Sequence, residues 1–235
     1  RRNTQDNFPA PAAILACVYE GTQLPMDKAL ALERSRFGQL LAGPVAANMI
    51  RTLFLGRQSA RKLASRPQDV GKTRVSKLGV LGAGMMGAGI ASVAAAAGIE
   101  VVLLDTTDEA AQAGLARVSA ALERDVKARR CTQEAAARRL ERIQPVSAYE
   151  ALRGCDMVVE AVFEDRGIKA EAYRKAARAM GQLPDGFVMA SNTSTLPISG
   201  LAGTWTDPGE FVGVHFFSPV ERMELVEVIV GKLTS

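Results

Sequence analysis

From Val75 onward, short apolar runs alternate with longer stretches in which apolar residues recur at helical spacing. The runs Lys77–Leu81, Glu100–Leu104, Asp156–Ala161, Phe187–Ala190, Phe211–Phe216 and Leu225–Val230 predict strands. Between the first four, the Ala-rich or charged stretches 85–97, 108–142 and 166–181 predict helices. Strands that are apolar nearly throughout must be covered on both faces, and helices that alternate with them supply the cover. The pattern predicts a doubly wound α/β domain with a mostly parallel sheet.

Upstream the pattern is helical only. Ala46, Met49, Ile50, Leu53 and Phe54 line one helix face, Phe37, Leu40 and Leu41 mark an earlier helix, and Gly43-Pro44 separates the two. The polar stretch RPQDVGKTRVSK (66–77) reads as a linker. The expected division is a helical linker segment over 1–73 and an α/β domain over 74–235. No internal repeat and no extended low-complexity tract occurs.

Composition narrows the class. With 235 residues, 48% of them hydrophobic and 23% charged, the chain can bury a substantial core. No apolar run approaches the roughly 20 residues of a membrane-spanning helix, and the first residues lack the apolar stretch of a secretory signal. Cys17, Cys131 and Cys155 are odd in number and far apart, which excludes a disulfide scaffold and a CxxC metal site. No metal is expected, and the thiols point to a reducing, cytoplasmic setting. The net charge of +4 conceals an asymmetry, with 13 Lys/Arg against 5 Asp/Glu over 1–77 and 16 against 20 over 78–235. Basic residues interleaved with apolar ones at helical spacing describe a solvated helix face, so no nucleic-acid partner is expected.

Four clusters carry candidate chemistry. The first is the G-x-G-x-x-G of Gly82, Gly84 and Gly87 in LGVLGAGMMGAGIA, with a strand before it and a helix of small residues after it. Gly82 permits a tight turn, Gly84 lets backbone approach a pyrophosphate, and Gly87 lets helix pack on strand. The helix N-terminus would then hold the phosphates. Asp105 ends the second strand 18 residues past Gly87. A carboxylate there accepts hydrogen bonds from a ribose and repels a 2′-phosphate, so NAD is favoured over NADP. A purely structural glycine turn is the alternative.

The second cluster pairs the only histidine, His215, with Glu227 in FVGVHFFSPVERMELVEVIV. Two strands joined by a turn bring these residues side by side, and a carboxylate embedded in LVEVIV requires a partner. Glu227 would fix the imidazole tautomer and leave the other ring nitrogen to take a proton from a hydroxyl. A structural His–Glu pair fits the spacing equally well. The third is ASNTSTLPISG (190–200), polar residues at the carboxyl end of a strand, where open α/β sheets bind ligands and where turns and helix caps also favour Ser, Thr and Asn. The fourth is VVEAVFEDRGIK (158–169), with Glu160, Glu164 and Lys169 as either an acid–base group beside a ribose or a helix N-terminal acid cluster.

Taken together, GAGMMGAGIA, DMVVEAVFED, ASNTSTLPI and GVHFFSPVERMELVEVI resemble, in order and spacing, the NAD-binding domain of the 3-hydroxyacyl-CoA dehydrogenases, over roughly residues 74–235. FPAPAAI and the ALALERSRFGQLL helix resemble the segment of bacterial multifunctional fatty-acid oxidation proteins that joins an enoyl-CoA hydratase to the dehydrogenase. The resemblance implies a Rossmann-type fold and oxidation of L-3-hydroxyacyl-CoA to 3-oxoacyl-CoA with NAD. It implies His215 as catalytic base, Glu227 as its carboxylate and Ser194 as hydrogen-bond partner of the reacting oxygen. Gly82, Gly84, Met86, Gly87 and Asp105 match cofactor positions, and Glu164, Lys169 and Asn192 match residues at the nicotinamide end. For the parent it implies an acyl-CoA substrate, no membrane span and a complex with a thiolase. Ser218 stands where many members carry Asn. The family's C-terminal helical domain and the hydratase body have no counterpart here, so the chain is expected to be an internal piece of a larger protein. A module that binds NAD without catalysis is the competing reading.

Overall fold

The computed structural model describes residues 4–5 and 7–235. They form two compact units, one ending at Gly71 and the other beginning at Lys72.

The first unit is helical, with α1 (Pro9–Gly21), α2 (Met26–Leu41), α3 (Pro44–Met49) and α4 (Arg57–Arg61). Pro at the start of α1 and of α3 supplies a preset φ where no amide partner is needed. The face expected at Ala46–Phe54 does not run on one helix. Ile50–Gly56 is a π-helical turn between α3 and α4, and it breaks the 3.6-residue repeat. No residue of these helices is fully buried.

The second unit is the α/β domain. Its strands are β1 (Lys77–Leu81), β2 (Glu100–Leu104), β3 (Ile143–Val146), β4 (Met157–Glu160), β5 (Val188–Ser191), β6 (Phe211–Phe216) and β7 (Val226–Ile229). They form one sheet in the order β3-β2-β1-β4-β5-β6-β7, parallel except for the antiparallel β6–β7 pair. The order reverses between β1 and β4, which opens a crevice at their carboxyl ends. Alternate residues feed two layers. Leu78, Val80, Val101 and Leu103 pack in one core with Ile90, Val118 and Leu122, whereas Leu81, Val102, Leu104 and Val158 pack in the other with Tyr173, Met180 and Phe211.

The helices of this unit are α5 (Met85–Ala96), α6 (Asp108–Lys127), α7 (Gln133–Glu141), α8 (Arg166–Met180) and α9 (Ile198–Ala202). The stretch 108–142, expected as helix throughout, is two helices and the start of a connection. Arg129 takes a left-handed φ of 56°, and the Thr132 hydroxyl accepts the Ala135 amide to cap α7. Thr107 and Asp165 cap α6 and α8 in the same way.

Strand β7 corrects another expectation. The run LVEVIV embeds Glu227 among apolar neighbours in sequence, but β7 is the sheet's outer strand. Val226, Val228 and Glu227 are all exposed.

Candidate active site

At the switch point the chain turns from β1 into α5 through the glycine loop. Gly82 has φ +96°, and a Cβ there would lie 2.7 Å from the Ala161 carbonyl oxygen of the neighbouring strand end. At Gly87 a Cβ would lie 1.8 Å from the Gly82 carbonyl oxygen, so α5 sits directly against the loop. Gly84 is different, because a Cβ there would meet nothing within 4 Å. It precedes α5, which no side chain caps, so the first-turn amides have no side-chain acceptor.

Asp105, at the end of β2, closes the loop. One carboxylate oxygen accepts the Ala83 amide at 2.7 Å, and the other accepts the Thr106 amide at 2.6 Å. Gly82, Gly84, Met86 and Asp105 line a single cleft of about 780 Å³, walled on the other side by Phe163 and Ile168. This geometry fits a dinucleotide. The uncapped helix end can take the pyrophosphate and Asp105 the ribose, with apolar walls for the adenine. Gly87 is buried behind the loop and is not among the residues that line this cleft.

The remaining candidates gather at the carboxyl ends of β4, β5 and β6. His215 faces Glu227 in the β6–β7 register, and His215 Nδ1 lies 2.8 Å from Glu227 Oε2. With Nδ1 donating to the carboxylate, Nε2 is left as an acceptor. The ring packs on Phe217, and its side chain is 19% exposed against 51% for Glu227. Asn192 joins two strand ends, since its side-chain oxygen accepts the Phe216 amide at 2.8 Å. Ser194 sits exposed on the loop after β5, with its amide donating to Glu164 Oε1 at 3.1 Å.

Glu164 organises that loop. Its Oε1 also accepts the Thr193 hydroxyl and the amide and hydroxyl of Thr195, and its Oε2 lies 3.2 Å from Lys169 Nζ. Burial alone pushes this carboxyl up, but hydrogen bonds from Thr193 and Lys169, the Lys169 charge and the Thr195 amide together outweigh it and hold it down to about 2. Lys169 lies beneath Glu164, within the fold. Its side chain is 1% exposed.

Residues 77–235 match the family described as 3-hydroxyacyl-CoA dehydrogenase, NAD binding domain. The chain belongs to that family. It is 37% identical to the fatty acid oxidation complex subunit alpha of Shewanella amazonensis over all 235 residues, which is 33% of that protein. With the same subunit from Pseudomonas putida it shares 38% over 229 residues, covering 97% of this chain and 31% of the relative. The chain thus spans about a third of the length of these relatives. Among solved structures it is similar to (S)-3-hydroxybutyryl-CoA dehydrogenase from Ralstonia eutropha, with TM-score 0.66, 36% identity, and coverage of 69% of this chain and 56% of that one. It is also similar to 3-hydroxybutyryl-CoA dehydrogenase from Escherichia coli, with TM-score 0.65, 35% identity, and coverage of 69% and 34%. As in other members of this family, the cofactor is NAD.

Two supports of the family's glycine loop escape a reading of motifs. A Cβ on Gly114 of α6 would lie 2.5 Å from the Ala83 Cβ, and Arg117, one turn on, donates to the Ala83 carbonyl at 3.2 Å. Nothing in the sequence marks Gly114 except a glycine inside a good helix former, where it costs stability unless packing demands it.

The depressed Glu164 carboxyl predicts a pH effect of definite sign. Its ionised form is favoured in the fold, so its stabilisation is complete above the ordinary value of 4.5 and is lost as pH falls toward 2. The melting temperature of Glu164→Gln is therefore expected below that of the parent at neutral pH, with the gap closing below pH 4.5. A gap constant down to pH 3 would contradict the assigned ionisation.

Proposed function

We propose that this chain carries the cofactor half of an NAD-dependent oxidation of L-3-hydroxyacyl-CoA to 3-oxoacyl-CoA. The single observation that carries the reading is the His215–Glu227 dyad at the carboxyl edge of the same sheet that forms the glycine cleft. Gly82, Gly84, Met86 and Asp105 would hold NAD, with Gly87 allowing α5 to reach it. Bound NAD supplies the hydride acceptor. His215 Nε2 takes the proton of the substrate hydroxyl, and Glu227 stabilises the imidazolium that results. Ser194 donates its hydroxyl to the same substrate oxygen. Glu164 and Asn192 hold the loop between these groups, each through the bonds described above. In the direction of reduction the imidazolium returns its proton to the forming hydroxyl.

In this reading the parent is a multifunctional fatty-acid oxidation enzyme that also hydrates enoyl-CoA and assembles with a thiolase; the relatives' name, fatty acid oxidation complex subunit alpha, supports a place in a larger fatty-acid oxidation assembly. Residues up to 73 belong to the junction between its two activities. Three unpaired thiols, Cys17, Cys131 and Cys155, suit a reducing cytoplasm. Among the described residues no helix is long and apolar enough to cross a membrane.

Calorimetry of NADH and NADPH with the parent chain and Asp105→Ala tests the cofactor assignment. The parent is expected to prefer NADH. The variant is expected to bind NADH about tenfold more weakly and to lose most of the preference, because removing the carboxylate frees the Ala83 amide and removes the repulsion of a 2′-phosphate. Undiminished discrimination in the variant would sink the ribose assignment. Repeating the titration with acetoacetyl-CoA present should tighten NADH binding. Saturable NADH binding indifferent to the acyl-CoA would favour a cofactor module instead.

A further inference from the structure

Glu160 ends β4 with its carboxylate sealed from solvent, and neither the dyad nor the glycine cleft uses it. Its Oε1 accepts Lys169 Nζ at 2.6 Å and the Val162 amide at 2.8 Å. Its Oε2 accepts the hydroxyls of Tyr173 and Ser191, both at 2.7 Å. Four donors on one buried carboxylate satisfy it fully. A buried ion pair is nonetheless weak evidence for stability, because apolar residues of similar volume would serve the fold as well or better.

What distinguishes this cluster is where its bonds lead. Lys169 passes from Glu160 to Glu164 Oε2 at 3.2 Å, and Glu164 Oε1 gathers the Thr193–Thr195 backbone and hydroxyls. By a second route, the Ser191 hydroxyl oxygen accepts the Thr193 amide at 3.3 Å. Both routes converge on the loop that carries Ser194.

We propose that Glu160 is a positioning residue that fixes the Ser194 loop through Lys169–Glu164 and through Ser191. The functional half of this proposal rests on the reading that Ser194 and its neighbours meet the nicotinamide end of NAD and the reacting oxygen. Lys169, with 1% of its side chain exposed, serves the site from within the fold by presenting Glu164 rather than by touching ligand.

Glu160→Gln tests this in the 235-residue chain. The amide keeps the volume, its oxygen can still accept Lys169 and Val162, and its NH2 can donate to the rotatable hydroxyls of Tyr173 and Ser191. The charge is lost, and the two hydroxyls no longer have the carboxylate oxygen as acceptor for their own protons. Hydrogen–deuterium exchange of the ligand-free chain is expected to rise about tenfold at the amides of Thr193, Ser194 and Thr195, with β1 and β2 unchanged. NADH affinity by calorimetry is expected to fall by a similar factor. Exchange that rises evenly over the sheet, or a loop as protected as in the parent, would overturn the positioning role. Loop loosening with undiminished NADH affinity would overturn its functional half. Should Glu160→Gln fail to fold, Tyr173→Phe removes one donor to the same oxygen and must show the same local loosening, and a silent Tyr173→Phe would likewise refute the proposal. If the parent chain itself does not bind NADH, the cofactor reading fails while the exchange result still decides the positioning.

Discussion

His215→Gln is expected to lower kcat for 3-hydroxybutyryl-CoA oxidation by about a thousandfold, the range of a lost general base, while NADH affinity stays as in the parent. Glutamine fills the space and can still donate to Glu227 Oε2, which lies 2.8 Å from the imidazole Nδ1. It cannot take up a proton at the position of Nε2. The glycine cleft should be indifferent to the change, because its walls come from the β1–α5 loop, the end of β2 and the segment after β4, and His215 is not among them. Initial rates from NADH absorbance, in whatever preparation of the protein turns over, give kcat, and calorimetry gives the affinity. An equal loss in both would place the imidazole in the cofactor site and remove it from the proton transfer.

The dyad was legible because a hairpin is a local device. Once His215 ends one strand and Glu227 sits within the next, register alone sets them opposite. The central strands were legible for a related reason, since a strand covered on both faces must be apolar throughout, and β1 and β2 are bounded by glycine and polar residues. Edges are harder. Strand β3 reads Ile143-Gln144-Pro145-Val146, and a proline in so short a run argues against a strand unless it lies at the sheet margin, which it does. Strand β7 errs in the opposite sense. LVEVIV is as apolar as a central strand, yet its exposure depends on what packs over it, and hydrophobicity reports nothing about that. The π-helical turn at Ile50–Gly56 similarly defeats a face drawn at a 3.6-residue repeat.

The buried network was out of reach for a different reason. Its members lie 9, 13 and 31 residues from Glu160, and only the parallel register of β4 with β5 places Glu160 beside Ser191. The sequence groups Glu160 with Glu164 and Lys169, and a glutamate closing the apolar run MVVE demands partners, but neither signal names Tyr173 or Ser191.

Two glycines three residues apart should separate binding from folding. Gly87→Ala is expected to destabilise the domain by about 3 kcal/mol or more, because its Cβ would lie 1.8 Å from the Gly82 carbonyl oxygen and 3.3 Å from Val80 Cγ1. The clash is with backbone, so no rotamer change relieves it, and α5 must lift off β1. Gly84→Ala meets no protein atom within 4 Å and keeps an unstrained extended backbone at φ −65° and ψ −167°. Its melting temperature should match that of the parent. Yet its methyl group would occupy the space beside the uncapped N-terminus of α5, where the pyrophosphate must approach the amides, so NADH binding should fall at least about tenfold. Thermal denaturation and calorimetry on both variants read the two effects independently. Gly84→Ala binding NADH as tightly as the parent would mean that the open space beside α5 does not receive the phosphates. A stable Gly87→Ala would mean that the close seat of α5 on the loop does not exist in solution. The expected crossing, one variant stable but impaired in binding and the other unstable, follows from a single difference: a Cβ at Gly87 runs into protein, and a Cβ at Gly84, on the cleft lining, meets open space.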